Sequence, residues 1–230
     1  MVIFNNQGCT KYIIQVKTTD VVATSKSWVC ANPEKVFVYR QDATLAYEFP
    51  TVPMWDFGEV GVMLVSVAVM KNGNILVGDM HRMVLTEHKP DDGKLIHTIP
   101  VEIAPNWLAV MSNGWIVISD EKKGQVAIVD VSDGNATQVT TIKPIIDGQP
   151  VKYCRGVSSN GEDIFVAAVK SYPGTGHIHN YHYTGRFVSC VARDLHWPMG
   201  ITLTADRQRL VAADWYSVKI YHQLYRNTTS

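Results

Sequence analysis

The sequence predicts an all-β fold, a β-propeller built from four-stranded antiparallel blades. A short unit of apolar strand, turn and apolar strand recurs along the chain, and no stretch keeps the three-and-four spacing of a long helix. The clearest copy is Ala109–Asp130, in which apolar strands flank Asn113 and Gly114. Both residues are able to adopt positive φ, so we expect a tight hairpin at this point.

The spacing of the copies supports the propeller and divides the chain into blades. The second strand of each copy ends at Asn32, Asp79, Asp120, Val169 or Asp214, and an interval of roughly 40 to 50 residues is typical of propeller blades. We predict a single domain over residues 1–230, with blades at 20–50, 60–100, 106–142, 153–192 and 198–223 and a partial blade at 1–16. Two arrangements remain open, a truncated six-bladed domain and a five-bladed ring.

Composition narrows the functional classes. The chain has 21 Lys and Arg residues against 21 Asp and Glu residues, so any surface for nucleic acid would have to be a local patch. Its four cysteines are far apart, which predicts reduced thiols rather than a disulfide framework or a zinc module. We find no signal-peptide pattern and no apolar run of the roughly 20 residues that span a bilayer, so we expect a cytoplasmic protein without membrane contact.

Asparagine-glycine turns followed by a strand that ends in aspartate resemble the NHL repeat. The best matches are Asn72–Asp79, followed by His81 and Arg82, and Asn113–Asp120, followed by Gly124–Asp130. The end of the chain, Gly200–Asn227, is similar to the terminal blade of TRIM-NHL proteins. Blade four departs from the pattern, since Val169 replaces its aspartate, and blade one has no Asn-Gly pair.

The resemblance implies a substrate-recognition module of a TRIM-type ubiquitin ligase, usually six-bladed. Propellers of that family bind proteins or RNA on the face that carries the inter-blade loops and the loops between the second and third strands. The chain has no cysteine and histidine spacing of the zinc modules that recruit the ubiquitin machinery.

Several carboxylates and histidines are candidate catalytic or metal-binding groups. We expect Asp79, Asp120 and Asp214 to shape the loops that follow them, because they recur at one position of the repeat. In a strand, His177 and His179 face one side and His182 the other, so the three do not simply converge on one ion. We therefore predict no catalytic residue, no metal and no cofactor; a zinc or general-base site that also recruits His196 is the alternative.

The predicted function is non-enzymatic recognition of a protein partner on the loop face. Aromatic residues interleaved with Arg and Lys are favoured at protein interfaces. The predicted binding residues are Arg82, Trp107, Lys122, Lys123, Arg155, Tyr172, Trp197, Trp215 and Tyr216. For the two tryptophans Trp107 and Trp197, packing between blades is an equal alternative.

Two other functions remain open from the sequence. The same aromatic and basic residues suit single-stranded RNA, through stacking and phosphate contact. A metal-dependent lactonase or lyase is the third possibility, because related six-bladed propellers include such enzymes. Their sites draw carboxylate, Asn or His side chains from several blades, and no matching set stands out in this sequence.

Overall fold

The computed structural model describes residues 1–4, 10–52, 60–132, 134–171, 174–204 and 206–222, and strands are the only regular secondary structure among them. The predicted class is confirmed: the protein is an all-β, five-bladed β-propeller of antiparallel sheets. The chain divides into two compact units, Met1–Pro105 and Asn106–Ser230. Within the described ranges, no helix has the length and apolarity needed to cross a membrane.

The first unit contains two four-stranded blades and a short N-terminal strand pair. In chain order its strands are β1 (Val2–Phe4), β2 (Thr10–Ile13), β3 (Asp20–Ala23), β4 (Ser27–Ala31), β5 (Val36–Arg40), β6 (Leu45–Phe49), β7 (Leu64–Val69), β8 (Ile75–Asp79), β9 (Val84–His88) and β10 (Leu95–Pro100). Strands β3 to β6 form blade one and β7 to β10 form blade two, each strand pairing with its sequence neighbour. The pair β1–β2 is a separate two-stranded sheet.

The second unit contains blades three, four and five. Its strands are β11 (Trp107–Val110), β12 (Ile116–Asp120), β13 (Gln125–Ser132), β14 (Asn135–Ile142), β15 (Ile145–Ile146), β16 (Gln149–Pro150), β17 (Tyr153–Ser159), β18 (Asp163–Val169), β19 (Thr175–His182), β20 (Phe187–His196), β21 (Ile201–Leu203), β22 (Leu210–Ala213) and β23 (Val218–Tyr221). Blades three (β11–β14) and four (β17–β20) have four strands. Blade five has three strands among the described residues, in the order β21-β22-β23.

Apolar side chains between neighbouring sheets form the core of each unit. In the second unit, Val117 of blade three and Val166 of blade four share one buried cluster, while Phe165 of blade four and Leu210 of blade five share another. The inner strands β8 and β12 are buried at every residue because both faces of a blade are covered. This explains why each strand begins with three consecutive apolar residues, ILV in β8 and IVI in β12, rather than with an alternating pattern.

The hairpin turn at Asn113 and Gly114 differs from the sequence prediction in the backbone conformation of the asparagine. Gly114 has φ of 96°, whereas Asn113 keeps a negative φ. The Gly114 amide donates to the Met111 carbonyl at 3.0 Å, and Asn113 Oδ1 accepts from the Trp115 amide at 3.0 Å. The connection is therefore a type I turn followed by a left-handed glycine, because the asparagine side chain stabilises the turn without leaving the right-handed region.

Ala43 occupies the corresponding left-handed position in blade one, and its replacement by glycine is expected to stabilise the protein. Its φ is 68°, and left-handed backbone costs a non-glycine residue about 1–2 kcal/mol. Because the lost methyl contact offsets part of the relief, we expect Ala43→Gly to raise the free energy of unfolding by about 1 kcal/mol in urea titrations. The matched change Ala46→Gly, in β6, relieves no such backbone and should lower stability by about 0.5–1 kcal/mol. Equal effects at the two positions would contradict the argument.

Candidate functional site

Buried aspartates fix the loops between the second and third strands of the blades. In blade two, Asp79 Oδ1 accepts hydrogen bonds from the amides of Met63 at 3.2 Å, His81 at 3.1 Å and Arg82 at 3.2 Å. The carboxylate thereby ties the β8–β9 loop to the residue that precedes β7. These contacts agree with the loop-shaping role that the sequence predicts.

Blades three and five repeat this arrangement in the second unit. Asp120 Oδ1 accepts from the Lys123 amide at 3.0 Å, and Asp214 Oδ1 accepts from the amides of Tyr216 at 3.1 Å and Ser217 at 2.8 Å. The side chain of Lys219 pairs with the other oxygen of Asp214. The hydrogen bond from Lys219, supported by the loop donors, holds the pKa of Asp214 well below its usual range although burial acts in the opposite direction.

Arg155 joins the loops of blades three and five. Its guanidinium lies 4.5 Å from the ring centroid of Trp197 and pairs with the carboxylate of Glu121 in the β12–β13 loop. The same guanidinium contacts the sulphur of Met199, just before β21. With its side chain only 11% exposed, Arg155 braces the three blades of the second unit and is not a free surface cation.

Trp197 and Trp107 are packing residues in this structure. Trp197 is 6% exposed, and its ring meets that of Tyr153 edge-on at 5.5 Å between centroids. Its φ of 53° is a left-handed value that costs a non-glycine residue about 1–2 kcal/mol, so its ring contacts must offset backbone strain. Trp107 is half-buried against the cluster between blades three and four. Trp107 therefore packs at a blade boundary and Trp197 is buried against blade four, while a binding role for either stays a prediction.

Exposed aromatic and basic side chains occupy the aspartate-fixed loops of the second unit. Trp215 is 62% and Tyr216 75% exposed in the β22–β23 loop, and Lys122 and Lys123 are exposed in the β12–β13 loop. Both loops join the second and third strands of a blade, so they open on the same edge of a propeller. We call Lys122, Lys123, Trp215 and Tyr216 the loop surface.

Tyr216 is held against the end of blade four. Its ring stacks on that of His196 at 4.6 Å between centroids, with 27° between the planes. The Trp215 amide donates to the His196 carbonyl at 2.9 Å. An exposed aromatic pair on a backbone anchored in this way loses little freedom on binding, which favours a recognition role.

Two predicted binding residues lie elsewhere. Arg82 is in the first unit, in the β8–β9 loop, and is half-buried; its Nη1 is buried and has no hydrogen-bond partner among the described residues. Tyr172 lies outside the described residues. Their membership of a binding face therefore stays a prediction.

On blade four, His177 and His179 lie close to Cys190, a contact that was not predicted from the sequence. His177 and His179 lie on β19, and their ligand atoms lie within 4.8 Å of each other and of Cys190 Sγ on β20. The pKa of His179 is lowered to about 4, mainly by burial and further by the nearby His177 and Arg193. Burial also lowers the pKa of His177. Burial raises the pKa of the Cys190 thiol. The strand register, which sequence alone did not supply, places Cys190 opposite His179.

Solved structures confirm the propeller fold. A proposed 6-phosphogluconolactonase of Bacteroides uniformis superposes with a TM-score of 0.68 at 17% identity, over 96% of this chain and 72% of that one. The WD40 domain of Neurospora crassa Pan2 gives a TM-score of 0.65 at 10% identity, over 90% and 62%. Virginiamycin B lyase of Staphylococcus aureus gives 0.64 at 12% identity, over 96% and 76%.

These neighbours define the class of protein but not its activity. They combine a WD40 domain with proteins named as a lactonase and a lyase, all at low identity. The chain spans less than two thirds of the Pan2 domain and about three quarters of the other two. No family model matches the sequence, and no curated protein matches it.

Proposed function

We propose that the protein is a non-enzymatic recognition scaffold that binds a protein partner on the loop surface. The observation that carries the proposal is the exposure of Trp215 and Tyr216, 62% and 75%, on a loop fixed by Asp214. Large aromatic side chains are enriched among the residues that dominate binding energy, and a rigid loop presents them at low entropic cost. Lys122 and Lys123, which are exposed in the β12–β13 loop, add charge to the loop surface.

The partner class follows from charge. The protein has no net charge and Arg155 is neutralised by Glu121, so within the loop surface only Lys122 and Lys123 offer positive charge to phosphates. A protein segment needs no such excess. The NHL-type resemblance extends the proposal: the chain would serve as the cytoplasmic substrate-recognition module of a TRIM-type ligase.

An enzyme is the weaker alternative. The neighbours named as lactonase and lyase share only the fold with this chain. The Oδ1 atoms of Asp79, Asp120 and Asp214 accept hydrogen bonds from loop amides, which is a structural role for these recurrent carboxylates. Hydrolysis of 6-phosphogluconolactone by the purified protein, above the spontaneous rate, would contradict the scaffold proposal.

Selection from a phage-displayed library of random peptides tests protein recognition directly. We expect enriched peptides to bind with an affinity that falls by at least about 30-fold in the double variant Trp215→Ser/Tyr216→Ser, because the loss of even one central aromatic residue costs about 2 kcal/mol. Fluorescence anisotropy of the labelled peptides measures the change. The control variant Leu45→Ser/Val139→Ser removes side chains that are 47% and 39% exposed on outer strands and should leave affinity unchanged.

Two results would count against this function. Peptides that bind the double variant and the wild type equally would show that the loop surface is not the site. Random-sequence RNA that binds with an affinity falling steeply with salt, and that no longer binds Lys122→Glu/Lys123→Glu, would favour RNA as the partner.

A further inference from the structure

Three side chains that commonly bind metals lie together on blade four. His177 and His179 are two residues apart on β19, so both side chains project from the same face of the strand. Strand β20 runs antiparallel to β19 and places Cys190 directly opposite His179. One ligand atom from each residue lies within 4.8 Å of the other two. We propose that His177, His179 and Cys190 form a zinc-binding site.

The ligand set suits zinc. Two imidazole nitrogens and one thiolate are ordinary zinc ligands, and three protein ligands leave the fourth tetrahedral position for water. At usual zinc–ligand bond lengths the ligand atoms stand about 3.3–3.6 Å apart. Zinc binding therefore requires the ligand atoms to approach one another by up to about 1.5 Å. Calcium and magnesium prefer oxygen ligands, so this set discriminates against them.

A second layer of contacts orients the histidines. His179 Nδ1 lies 3.1 Å from Tyr181 Oη, and when this nitrogen donates to the phenol oxygen, Nε2 is free to bind a metal. The ring of Phe187 meets that of His179 edge-on at 5.3 Å between centroids and covers it partly from solvent. Hydrogen-bonded support of one imidazole nitrogen and an apolar cover are both typical of metal sites.

Charges of both signs surround the triad. The groups that act on His177 are Arg193 and Lys170, which are positive, and Asp147 and Asp194, which are negative. Lys170 Nζ is 3.0 Å from Asp147 Oδ2, so these two charges largely cancel. Arg193 also acts on His179 and Cys190 and opposes a cation there, and the Cys190 thiolate formed on zinc binding would offset it.

Metal titration of the full chain tests the site. After chelator treatment, we expect one equivalent of Zn²⁺ to bind in calorimetry and one equivalent of Co²⁺ to give a thiolate-to-cobalt charge-transfer band with the visible bands of a tetrahedral ion. Cys190→Ser should abolish the charge-transfer band. His177→Asn and His179→Asn should each weaken Zn²⁺ binding by more than about 100-fold, and Tyr181→Phe by about 10- to 100-fold.

His182→Asn is the matched control, because His182 lies on the same strand and hydrogen-bonds to Thr184 instead. It should leave Zn²⁺ affinity and the cobalt spectrum unchanged. A measurement on the wild type tests the site even if a variant fails to fold. Bound Zn²⁺ should slow the alkylation of Cys190 by iodoacetamide at least tenfold, as measured by peptide mass spectrometry. Absence of stoichiometric Zn²⁺ binding, or unprotected Cys190 in the presence of Zn²⁺, would overturn the proposal.

Discussion

Replacing Gly156 with alanine is expected to lower the free energy of unfolding by about 3 kcal/mol. A Cβ at this position would stand 2.5 Å from the Met199 carbonyl oxygen and 2.7 Å from the Ile201 amide nitrogen. Both are backbone atoms of the neighbouring blade and have no rotamer through which to move away. The Gly156 amide also donates to the Met199 carbonyl at 2.7 Å, so forcing the chains apart loses a hydrogen bond as well.

Urea unfolding monitored by tryptophan fluorescence measures this loss, and Gly200→Ala supplies the matched control. Gly200 lies at the same blade boundary, but a Cβ there would meet only the Trp107 ring, at 3.8 Å, which is ordinary contact. We expect its stability to change by less than about 0.5 kcal/mol. Equal losses for both variants would mean that the close approach at Gly156 does not limit packing.

Asp79→Ala is expected to lower the free energy of unfolding by about 3 kcal/mol, because it leaves three loop amides without their acceptor. Those amides belong to Met63, His81 and Arg82. Asp79→Asn keeps one oxygen at this position and should lose less than the alanine variant. Thermal and urea unfolding of both variants, beside wild type, give the comparison.

Asp130→Ala controls for the loss of an aspartate as such. Asp130 is exposed in β13, and its removal should change stability by no more than about 0.5 kcal/mol. If Asp79→Ala were as mild as Asp130→Ala, solvent rather than the carboxylate would be satisfying the loop amides.

The sequence predicted the features that depend on local pattern. Apolar runs such as Ile116–Ile118 predicted the strands. The recurrence of Asp79, Asp120 and Asp214 at one position of the repeat predicted that they shape the following loops. Turn conformation was predicted less well, since Asn113 was expected to take positive φ and does not. Its side-chain hydrogen bond favours an ordinary type I turn, a choice that composition alone does not reveal.

Features that depend on strand register or blade contacts could not be predicted. Cys190 joins His179 only because β20 pairs with β19 in one particular register. The burial of Arg155 and Trp197 depends on how three blades meet, so their sequence context suggested exposed binding residues as readily as packing. In contrast, Trp215 and Tyr216 are exposed, as a recognition surface requires.

The aspartate at the end of the second strand also restricts the length of the loop that follows it. In blade five, Asp214 Oδ1 accepts hydrogen bonds from the amides of Tyr216 and Ser217, two and three residues further along the chain. An inserted residue would move these amides away from the carboxylate. In blade four the buried Val169 takes the place of the aspartate. Just after it, the backbone hydrogen bond from the Lys170 amide to the Thr175 carbonyl is long, at 3.4 Å. Because no aspartate constrains this connection, we expect it to tolerate a grafted tag or foreign loop better than the β22–β23 loop does.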